Sequence, residues 1–593
     1  MNTIINVVVN KIKSYFICSD NNMVGVEKNN LIYNRAVGFS IVGIALVVLV
    51  SLLLPWQIEG ESWGYWYSSK ILLEGGGFVN AARSPLYTTY LLPYFSLPYP
   101  LSTQTENYFT TLFSTVAIFI FLRQIMGVYG AILFSILWIP HIQQNSPSIH
   151  AIGLGCISIA FALRFSSAKC TPKKLSVSYA LLILAIIFRQ NYAVFFVLVV
   201  VYDFIRISFD SKAGGINLII TGFKPLLSGY TLFLVALLVI FSLFQSSHRW
   251  NNVWLTSADW FPGDVQSLGM TSINVHYNAR YVMQKYGSHK NTDIYFTNEE
   301  AFSGATTVIG MIKTNPMLFF DAMTDNLKAF PVVALYGLQI PTVSNSILRK
   351  FIYIFLFIGL IYGAVRAPPN SITMLYVLAC LTTAFVTALY YPKTRYMFTL
   401  LPIYALSAWW WGKRLEMLIL KIKSTRISIP ISKLALPLII LIFSSANILK
   451  WTELNILKDN QVYTKHEKIS ERNLSMVDAY QDLSVYVRGC KGLMTYEHTY
   501  FYAFLANTNT TQVYDLHEIP PFGKYGDSEY SRLKVENIDC LFISYGMEDY
   551  IGMVANNQIR YKNFIKPYED YLLSIGAKSY AIPDYGRVTK IVN

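Results

Sequence analysis

The chain has 593 residues, of which 53% are hydrophobic and 14% are charged, and its mean hydropathy is +0.38. Soluble domains are about a quarter charged, so this composition excludes an ordinary soluble protein. The net charge of +14 would suit a nucleic-acid partner, but the basic residues cluster in the short loops KCTPKK (169–174) and GKRLEMLILKIKSTR (412–426). Such clusters are typical of the cytoplasmic loops of membrane proteins, and we expect no nucleic-acid partner.

Apolar runs that predict membrane-spanning helices recur along most of the chain. A helix that crosses ~30 Å of hydrocarbon needs about 20 apolar residues. The first run is long and begins far from Met1, so we expect a span there rather than a cleaved signal peptide. About eleven runs, some of them short, predict an α-helical polytopic membrane protein: 36–55, 107–122, 128–140, 150–166, 175–188, 192–207, 226–244, 351–366, 371–390, 395–411 and 432–449.

The basic loops set the orientation of these spans. If 169–174 and 412–426 lie in the cytoplasm, the N-terminus is cytoplasmic and the C-terminus is exterior, which is periplasmic in a bacterium. We expect the inner (plasma) membrane of a cell as the location, with the lipid bilayer as a partner. The predicted organisation is a transmembrane core with two long exterior loops, followed by an exterior domain: 1–449 with loops 56–106 and 245–350, then 450–593.

The first exterior loop combines acids with aromatic residues. The stretch QIEGESWGYWYSSKILLEGGGF (57–78) follows the first span directly, and it places Glu59 and Glu61 just outside the lipid, beside four aromatic residues. After Glu61 the pattern turns helical until a run of three glycines, so the acids lie at the start of a short helix. ARSPLY (82–87) follows, and it adds a cation, Arg83, before the chain returns to the membrane.

The exterior insert and the tail have patterns of their own. In 297–330 apolar residues recur at helical spacing, and Asn315 and Pro316 divide the stretch into two amphipathic helices at the membrane face. Cys490 and Cys540 lie in the tail, where a disulfide and two buried free thiols are both compatible with the sequence. The tail alternates strand and helix patterns and predicts a small α/β domain, with strands GLMTY (492–496), TQVYDL (511–516) and CLFISYG (540–546).

Three stretches resemble the C-type (GT-C) membrane glycosyltransferase superfamily, which includes protein mannosyltransferases and aminoarabinose transferases that use polyprenyl-phosphate sugars. YYPKTRYMFTLLPIYALSAWW (390–410) is similar to the Arg-Tyr pair and proline of a late span, and 313–330 is similar to the family's interfacial helices. The first exterior loop matches the family's order of acid, tyrosine, glycine-ended helix, cation, proline and aromatic residue: Glu61, Tyr65, Gly75, Arg83, Pro85 and Tyr87.

The resemblance implies an enzyme that moves a hexosyl or pentosyl group from a polyprenyl-phosphate donor to an exterior acceptor, which is a cell-envelope glycan, lipid or protein. Glu61, with Glu59 as the second candidate, would take the proton of the acceptor as a general base. Three cations at the exterior face, Arg395, Arg83 and Arg189, would bind the donor phosphate together with Tyr396, which is next to Arg395. Aromatic and histidine side chains would line the substrate: Trp63, Tyr65, Tyr87, His141 and His150.

The sequence departs from the family at two places. The acid of the first loop is a glutamate, whereas most members have an aspartate. The next exterior loop, HIQQNSPSIH (141–150), carries no acid. We therefore name no metal ligand and no certain cofactor; a divalent metal held by Glu59 and Glu61 stays open, although two acids are few ligands for such an ion.

Functions of other classes remain open from the sequence. These are a transporter or flippase for a lipid-linked saccharide, a polysaccharide polymerase, and a non-catalytic scaffold with an exterior binding domain. A transporter would need charged or polar residues deep inside its spans, or internal repeats. We find neither, since runs such as 226–244 and 432–449 carry at most Ser, Thr, Gln or Asn. A scaffold would leave the acids and aromatic residues of the first loop unexplained.

Overall fold

A computed structural model gives the positions of the residues discussed from here on. It describes the following residues: 30–51, 65–66, 69–70, 72–73, 85–97, 101–145, 148–165, 172–210, 224, 226–232, 277, 281, 298–303, 305, 308–336, 358, 371–390, 399–400, 402–403, 406–407, 409–410, 485–487, 490, 492–495, 512–515, 539–544, 566–582 and 586–591.

Helices make up most of the described chain. We number those with continuous bounds in chain order: α1 (Asn30–Ser51), α2 (Pro85–Leu91), α3 (Leu101–Asn145), α4 (Ser148–Phe165), α5 (Pro172–Phe188), α6 (Ala193–Asp210), α7 (Asn298–Phe302), α8 (Val308–Thr314), α9 (Pro316–Tyr336), α10 (Ser371–Tyr390) and α11 (Lys566–Ser574). Two short 3₁₀ helices, Leu92–Ser96 and Gln190–Tyr192, follow α2 and α5.

The chain divides into two compact units. The first comprises Met1–Trp56, Ser96–Ser246 and Leu327–Lys458, and the second comprises Gln57–Phe95, Ser247–Asn326 and Asp459–Asn593. The second unit gathers most of the three stretches that the sequence predicts to be exterior. Their placement outside the membrane stays a prediction.

Long apolar helices build the first unit. Two stretches of the described chain, Leu101–Val128 and Ser371–Leu389, are long and apolar enough to cross a membrane, and Ala36–Leu49 and Ile149–Phe165 are shorter apolar helices. The length and composition of these helices agree with the predicted membrane protein, and its number of spans stays a prediction. Within α3, Gly127 has φ 76° and ψ 174°, which breaks the helix between the two runs that the sequence predicts there.

Aromatic side chains fill the centre of this helix bundle. Tyr376 of α10 is fully buried, and its ring lies 4.5 Å from that of Phe121, 5.1 Å from that of Phe161 and 6.1 Å from that of Phe195, measured between centroids. These rings belong to α3, α4 and α6. Four helices thus share one core, in which each ring contributes a large buried apolar area.

The expectation that the predicted spans lack buried charges is wrong for α4 and α6. Arg164 is 4% exposed and Asp203 is 8% exposed. Arg164 Nη1 donates to both carboxylate oxygens of Asp203, at 2.9 and 2.7 Å, and its Nε donates to Ser178 Oγ at 2.7 Å. The hydroxyl of Tyr179 also donates to Asp203. The two charges neutralise each other and tie α4, α5 and α6 together, which is a structural use of buried charge.

The insert at 245–350 contains the helix break that the sequence predicts. Helix α8 ends at Thr314 and α9 begins at Pro316, which as the first helical residue needs no N–H donor. Asn315 caps α9, because its Oδ1 accepts from the backbone N–H of Leu318 at 3.2 Å, while its Nδ2 donates to the carbonyl of Ala301 at 3.1 Å. The apolar faces of these helices form one core: Tyr277, Ala301, Phe302, Met311, Leu318, Phe319 and Ala322.

The tail forms a five-stranded sheet in the order β2-β1-β3-β5-β4. Its strands are β1 (Gly492–Thr495), β2 (Gln512–Asp515), β3 (Cys540–Ser544), β4 (Ala577–Ile582) and β5 (Gly586–Ile591). The three strands that the sequence predicts are β1, β2 and β3, which pair in parallel, whereas β4 and β5 are antiparallel additions. The helix pattern of 496–507 falls outside the described residues.

A disulfide and a buried ion pair stabilise this sheet. Of the two states left open for Cys490 and Cys540, the structure has the disulfide, with the two Cα atoms 5.9 Å apart. Helix α11 is held to the sheet by Glu569, which is 1% exposed and accepts from Arg587 Nε at 2.5 Å and Nη2 at 2.9 Å. The hydroxyl of Thr589 donates to the same carboxylate at 3.1 Å.

Candidate functional site

The structure describes part of the loop at 56–106, which the sequence predicts to be exterior. Tyr65 and Tyr87, two aromatic residues of the glycosyltransferase-like motif, meet edge to face with ring centroids 5.0 Å apart. Both are buried, at 3% and 1% exposure, so most of each ring packs against the protein. Their predicted contact with substrate stays a prediction. Four other residues predicted in this loop lie outside the described part of the chain: Glu59, Glu61, Trp63 and Arg83.

A buried serine and a second ring pair join the same two parts of the loop. Ser69 is fully buried, and its Oγ lies 2.7 Å from the carbonyl oxygen of Tyr65 and 2.8 Å from that of Thr88, which share its proton. The ring of Trp66 packs against that of Phe95, with centroids 5.3 Å apart. The described residues before and after the glycine run therefore pack against each other.

Tyrosine rings continue along α2 and the 3₁₀ helix that follows it. Tyr87 stacks on Tyr90 with centroids 5.8 Å apart, and Tyr90 meets Tyr94 at 5.5 Å. The hydroxyl of Tyr94 donates to the hydroxyl of Tyr90 at 2.9 Å. These rings lie along one face of the helix, and they pack against each other there.

Arg189 and His150 lie at the ends of helices in the first unit, and Tyr192 connects their surroundings. Arg189 is half-buried and directly follows α5; its N–H donates to the carbonyl of Ala185 at 2.8 Å, and its own carbonyl accepts from the N–H of Tyr192 at 3.1 Å. The hydroxyl of Tyr192 then donates to the carbonyl of His150 at 2.9 Å. The turn that carries Arg189 is thus tied to the first residues of α4.

A glycine makes this arrangement possible. The side chain of Tyr192 lies directly against Gly153, so that a Cβ added at Gly153 would overlap the tyrosine ring. Tyr192 is 1% exposed and His150 is 2% exposed. The burial of His150 favours a role in helix packing at this position, and its predicted contact with substrate stays a prediction.

Three other predicted residues are not located as side chains. His141 lies on α3, and only its backbone is described. Arg395 and Tyr396 fall outside the described residues, although Thr399 and Leu400, a few residues later, are buried. The roles of these three residues stay predictions. The structure thus brings Tyr65 to Tyr87 and the turn of Arg189 to His150.

A buried carboxylate at the start of α3 was missed by the sequence reasoning. Glu106 is 3% exposed, and its Oε1 accepts from the hydroxyl of Thr110 at 2.8 Å. One turn on, Asn107 Oδ1 accepts from the hydroxyl of Thr111 at 2.8 Å. The signal was in the sequence: polar residues recur at spacings of three and four just before an apolar run, which indicates a polar helix face buried against other helices.

The described residues offer little to a metal ion. The group with metal-ligand spacing in the described chain is Cys490, Asp539 and Cys540, and its two sulfurs are joined in the disulfide. A disulfide sulfur is not the thiolate that a metal needs. A clasp formed by Glu59 and Glu61 lies outside the described residues and stays an open alternative.

No protein-family model matches the chain, and no curated protein matches it either. Several solved structures are similar to it. One is the archaeal oligosaccharyltransferase AglB from Archaeoglobus fulgidus, in complex with an inhibitory peptide and a dolichol-phosphate, with a TM-score of 0.44 and 12% identity over 93% of this chain and 74% of that chain. Another is ArnT from Cupriavidus metallidurans bound to undecaprenyl phosphate, with a TM-score of 0.39 and 11% identity over 93% of this chain and 97% of that chain.

Proposed function

We propose that the protein is an integral-membrane glycosyltransferase that moves a sugar from a polyprenyl-phosphate donor to an exterior acceptor. The observation that supports this most is the packed first exterior loop. Tyr65 follows Glu61 by four residues, Tyr87 follows Arg83 by four residues, and the two tyrosine rings are in contact. The described residues that follow Glu61 and Arg83 in the sequence are therefore in contact, which supports the proposal that this loop forms one site.

The proposed reaction is a displacement at the anomeric carbon of the donor sugar. An acceptor hydroxyl or amine attacks this carbon and loses its proton to the carboxylate of Glu61, with Glu59 as the second candidate. A bond from the acceptor atom to the sugar forms while the bond from the sugar to the phosphate oxygen breaks. The polyprenyl phosphate leaves with the bonding electron pair and becomes more negative.

Arginines are suited to stabilise this leaving group. Their planar fork binds two phosphate oxygens at once, and fixed cations cost no reorganisation as charge develops. We assign this role to Arg395 first, with Tyr396 beside it, and then to Arg83 and Arg189. The half-buried turn of Arg189, fixed through Tyr192, supports the inclusion of Arg189.

The acceptor and the location follow from the predicted orientation. We propose that the C-terminus is exterior and that the acceptor is a cell-envelope glycan, a lipid or a protein. The disulfide between Cys490 and Cys540 supports the exterior position of the tail, because disulfides persist in oxidising compartments. We propose the plasma membrane, which is the inner membrane in a Gram-negative cell.

A radiolabel assay in membranes tests the function. Membranes with and without the protein are incubated with a panel of labelled polyprenyl-phosphate sugars: mannose, glucose, galactose and aminoarabinose derivatives. We expect one of them to be consumed only when the protein is present, with label appearing in an acceptor and undecaprenyl phosphate released. A flippase would instead move the labelled lipid across the bilayer without cleaving it, and that result would contradict a transferase.

A further inference from the structure

Each of the two described parts of the first exterior loop follows, in the sequence, a residue that is proposed to take part in the reaction, Glu61 or Arg83. The part that follows Glu61 contains Tyr65, Trp66 and Ser69, and the part that follows Arg83 contains the residues that these three contact. The links between the two parts are of different kinds, a hydrogen bond and two ring pairs.

We propose that Ser69 is a positioning residue for the transfer reaction: its buried hydroxyl joins the part of the loop that follows Glu61 in the sequence to helix α2, which follows Arg83 in the sequence. This inference rests on the proposed function. Ser69 itself touches no reacting atom in the proposal and acts through the residues that it holds in place.

The inference depends on the second hydrogen-bond acceptor of Ser69, the carbonyl of Thr88. A serine hydroxyl in a helix commonly bonds to the carbonyl four residues earlier, as Ser69 does with Tyr65. Such a bond stays within one turn and joins nothing else. The carbonyl of Thr88, 2.8 Å away, belongs to α2 on the other side of the glycine run. At 0% exposure no solvent competes for this proton, so the bond links two elements that the sequence separates.

Two pairs of aromatic rings join the same two parts of the loop close to Ser69. Tyr65 contacts Tyr87 four residues before Ser69, and Trp66 contacts Phe95 three residues before it. These two ring pairs and the hydrogen bond of Ser69 to Thr88 therefore join the two described parts of the loop at three places. We call the three contacts Tyr65–Tyr87, Trp66–Phe95 and Ser69–Thr88 the clamp. Because a misplacement of about 1 Å can cost roughly 100-fold in rate, loss of the clamp should lower the rate of the reaction.

Ser69→Ala tests the role of the serine, and Ser135→Ala is the matched control. Ser135 is also fully buried, and its Oγ donates to the carbonyl of Ala131 at 2.7 Å, so it makes the same bond within its own helix without a second acceptor. The difference between the two variants isolates the bond to Thr88. Phe95→Leu breaks the clamp at an independent place, should Ser69→Ala fold poorly.

The first readout is independent of activity. Amide hydrogen exchange is measured in the full-length protein in detergent, over α2. We expect faster exchange there in Ser69→Ala and Phe95→Leu than in the wild type and in Ser135→Ala. Unchanged exchange over α2 in both clamp variants would show that the link does not hold the loop, and the proposal would be wrong.

The second readout separates positioning from folding. The values of kcat and KM are measured with the polyprenyl-phosphate sugar that the wild type consumes, per amount of folded, monodisperse protein. We expect kcat to fall about 10- to 100-fold in Ser69→Ala, with a raised KM for the donor, and both to stay at wild-type values in Ser135→Ala. A merely structural serine would lower the yield of folded protein and leave both constants unchanged, which would overturn the proposal.

A failure of the proposed function is distinguishable from a failure of the clamp. If the wild type consumes none of the polyprenyl-phosphate sugars, the transferase function and the positioning role are both wrong, whatever the exchange shows. If the wild type is active and Ser69→Ala matches it in kcat and KM, only the positioning role is wrong.

Discussion

At the scale of single residues, the proposed general base gives the sharpest expectation. Glu61→Gln keeps the size of the side chain and its hydrogen bonding but removes the base, and loss of a general base costs about 10²- to 10⁴-fold in rate. We expect the variant to reach the membrane at normal levels and to lose turnover by that factor. Glu59→Gln is the matched control, with a smaller effect. Near-full turnover in Glu61→Gln would move the role to Glu59.

Arg395 could have one of two roles, binding of the donor phosphate or anchoring of a span at the membrane surface, and a lysine substitution distinguishes them. If the guanidinium binds the donor phosphate through two oxygens, Arg395→Lys should lose most donor binding and turnover, because lysine is a point charge without the fork. If Arg395 only anchors a span at the membrane surface, lysine should replace it fully, since both side chains reach the interface equally well. Donor binding and turnover in Arg395→Lys and Arg395→Ala, at equal expression, decide between these roles.

At the scale of elements, the buried pair of Arg164 and Asp203 ties three helices of the bundle. Asp203→Asn leaves the cation of Arg164 buried without its counter-charge, and removing one partner of a buried pair costs about 3–5 kcal/mol. We expect a clear loss of monodisperse protein in detergent and a lower melting temperature. The double variant Arg164→Met with Asp203→Leu should recover much of the loss, because it removes both charges. A single variant as stable as the wild type would contradict the role of the pair.

The contact between helix α11 and strand β5 depends on the carboxylate of Glu569, which accepts hydrogen bonds from Arg587. Burial by itself raises the pKa of Glu569, but the hydrogen bonds and charges of Arg587 and Lys566 outweigh it and hold the pKa below its ordinary value. A lowered pKa in the folded state means that the carboxylate stabilises the fold above its unfolded pKa, and that this contribution disappears as the pH falls through the folded value. The sheet should therefore loosen in acid.

Glu569→Gln measures this dependence. We expect amide exchange in β4 and β5, corrected for the intrinsic effect of pH, to rise below about pH 4 in the wild type. The variant should exchange faster at neutral pH and show little further change in acid. Asp570→Asn is the control, since Asp570 is exposed and its loss leaves the bonds of Glu569 to Arg587 in place. An identical acid response in Glu569→Gln would assign the loosening to other groups.

The elements that the sequence predicted are those with a signature in a short stretch of residues. The division at Pro316 and the strands β1 to β3 have strong local signatures, a proline with a preceding asparagine and short runs of β-type residues. Strands β4 and β5 carry charged and polar residues, and their place in the sheet depends on pairing: β5 pairs with the edge of β3, and β4 pairs with β5. The pairing of Arg164 with Asp203 could not be predicted, because it joins residues on different helices that only tertiary packing brings together.

At the scale of the whole molecule, the sequence predicted a membrane protein with structured stretches between its spans. Composition and apolar runs are enough for that, since a helix in lipid must be apolar along its whole length. The motif order also predicted that Tyr65 and Tyr87 belong to one loop, but their contact, and the serine that supports it, depend on how the loop folds back. The burial of Glu106 follows from helical spacing, because buried polar residues recur every three or four positions around it.

The orientation of the whole chain is tested through the disulfide. A bond between Cys490 and Cys540 closes a loop with a sequence separation of 50 residues, and it forms and persists only in an oxidising compartment. With the tail exterior, protein from intact cells, denatured and labelled with a thiol-reactive polymer, should carry two fewer labels before reduction than after it. Cys490→Ser should remove that difference, and by the chain-entropy estimate the lost bond should cost the tail about 4 kcal/mol of stability.

A fusion reporter that is active only outside the cytoplasm completes this test. Fused after Asn593 it should be active, and inserted within 412–426 it should be inactive, because the basic residues there hold that loop inside. The two measurements depend on different physics, thiol oxidation and charge-directed insertion, so their agreement would fix the threading. Equal labelling before and after reduction, with an active reporter within 412–426, would invert the topology. It would place Glu61 and Arg83 in the cytoplasm, and a transfer to an exterior acceptor would then be excluded.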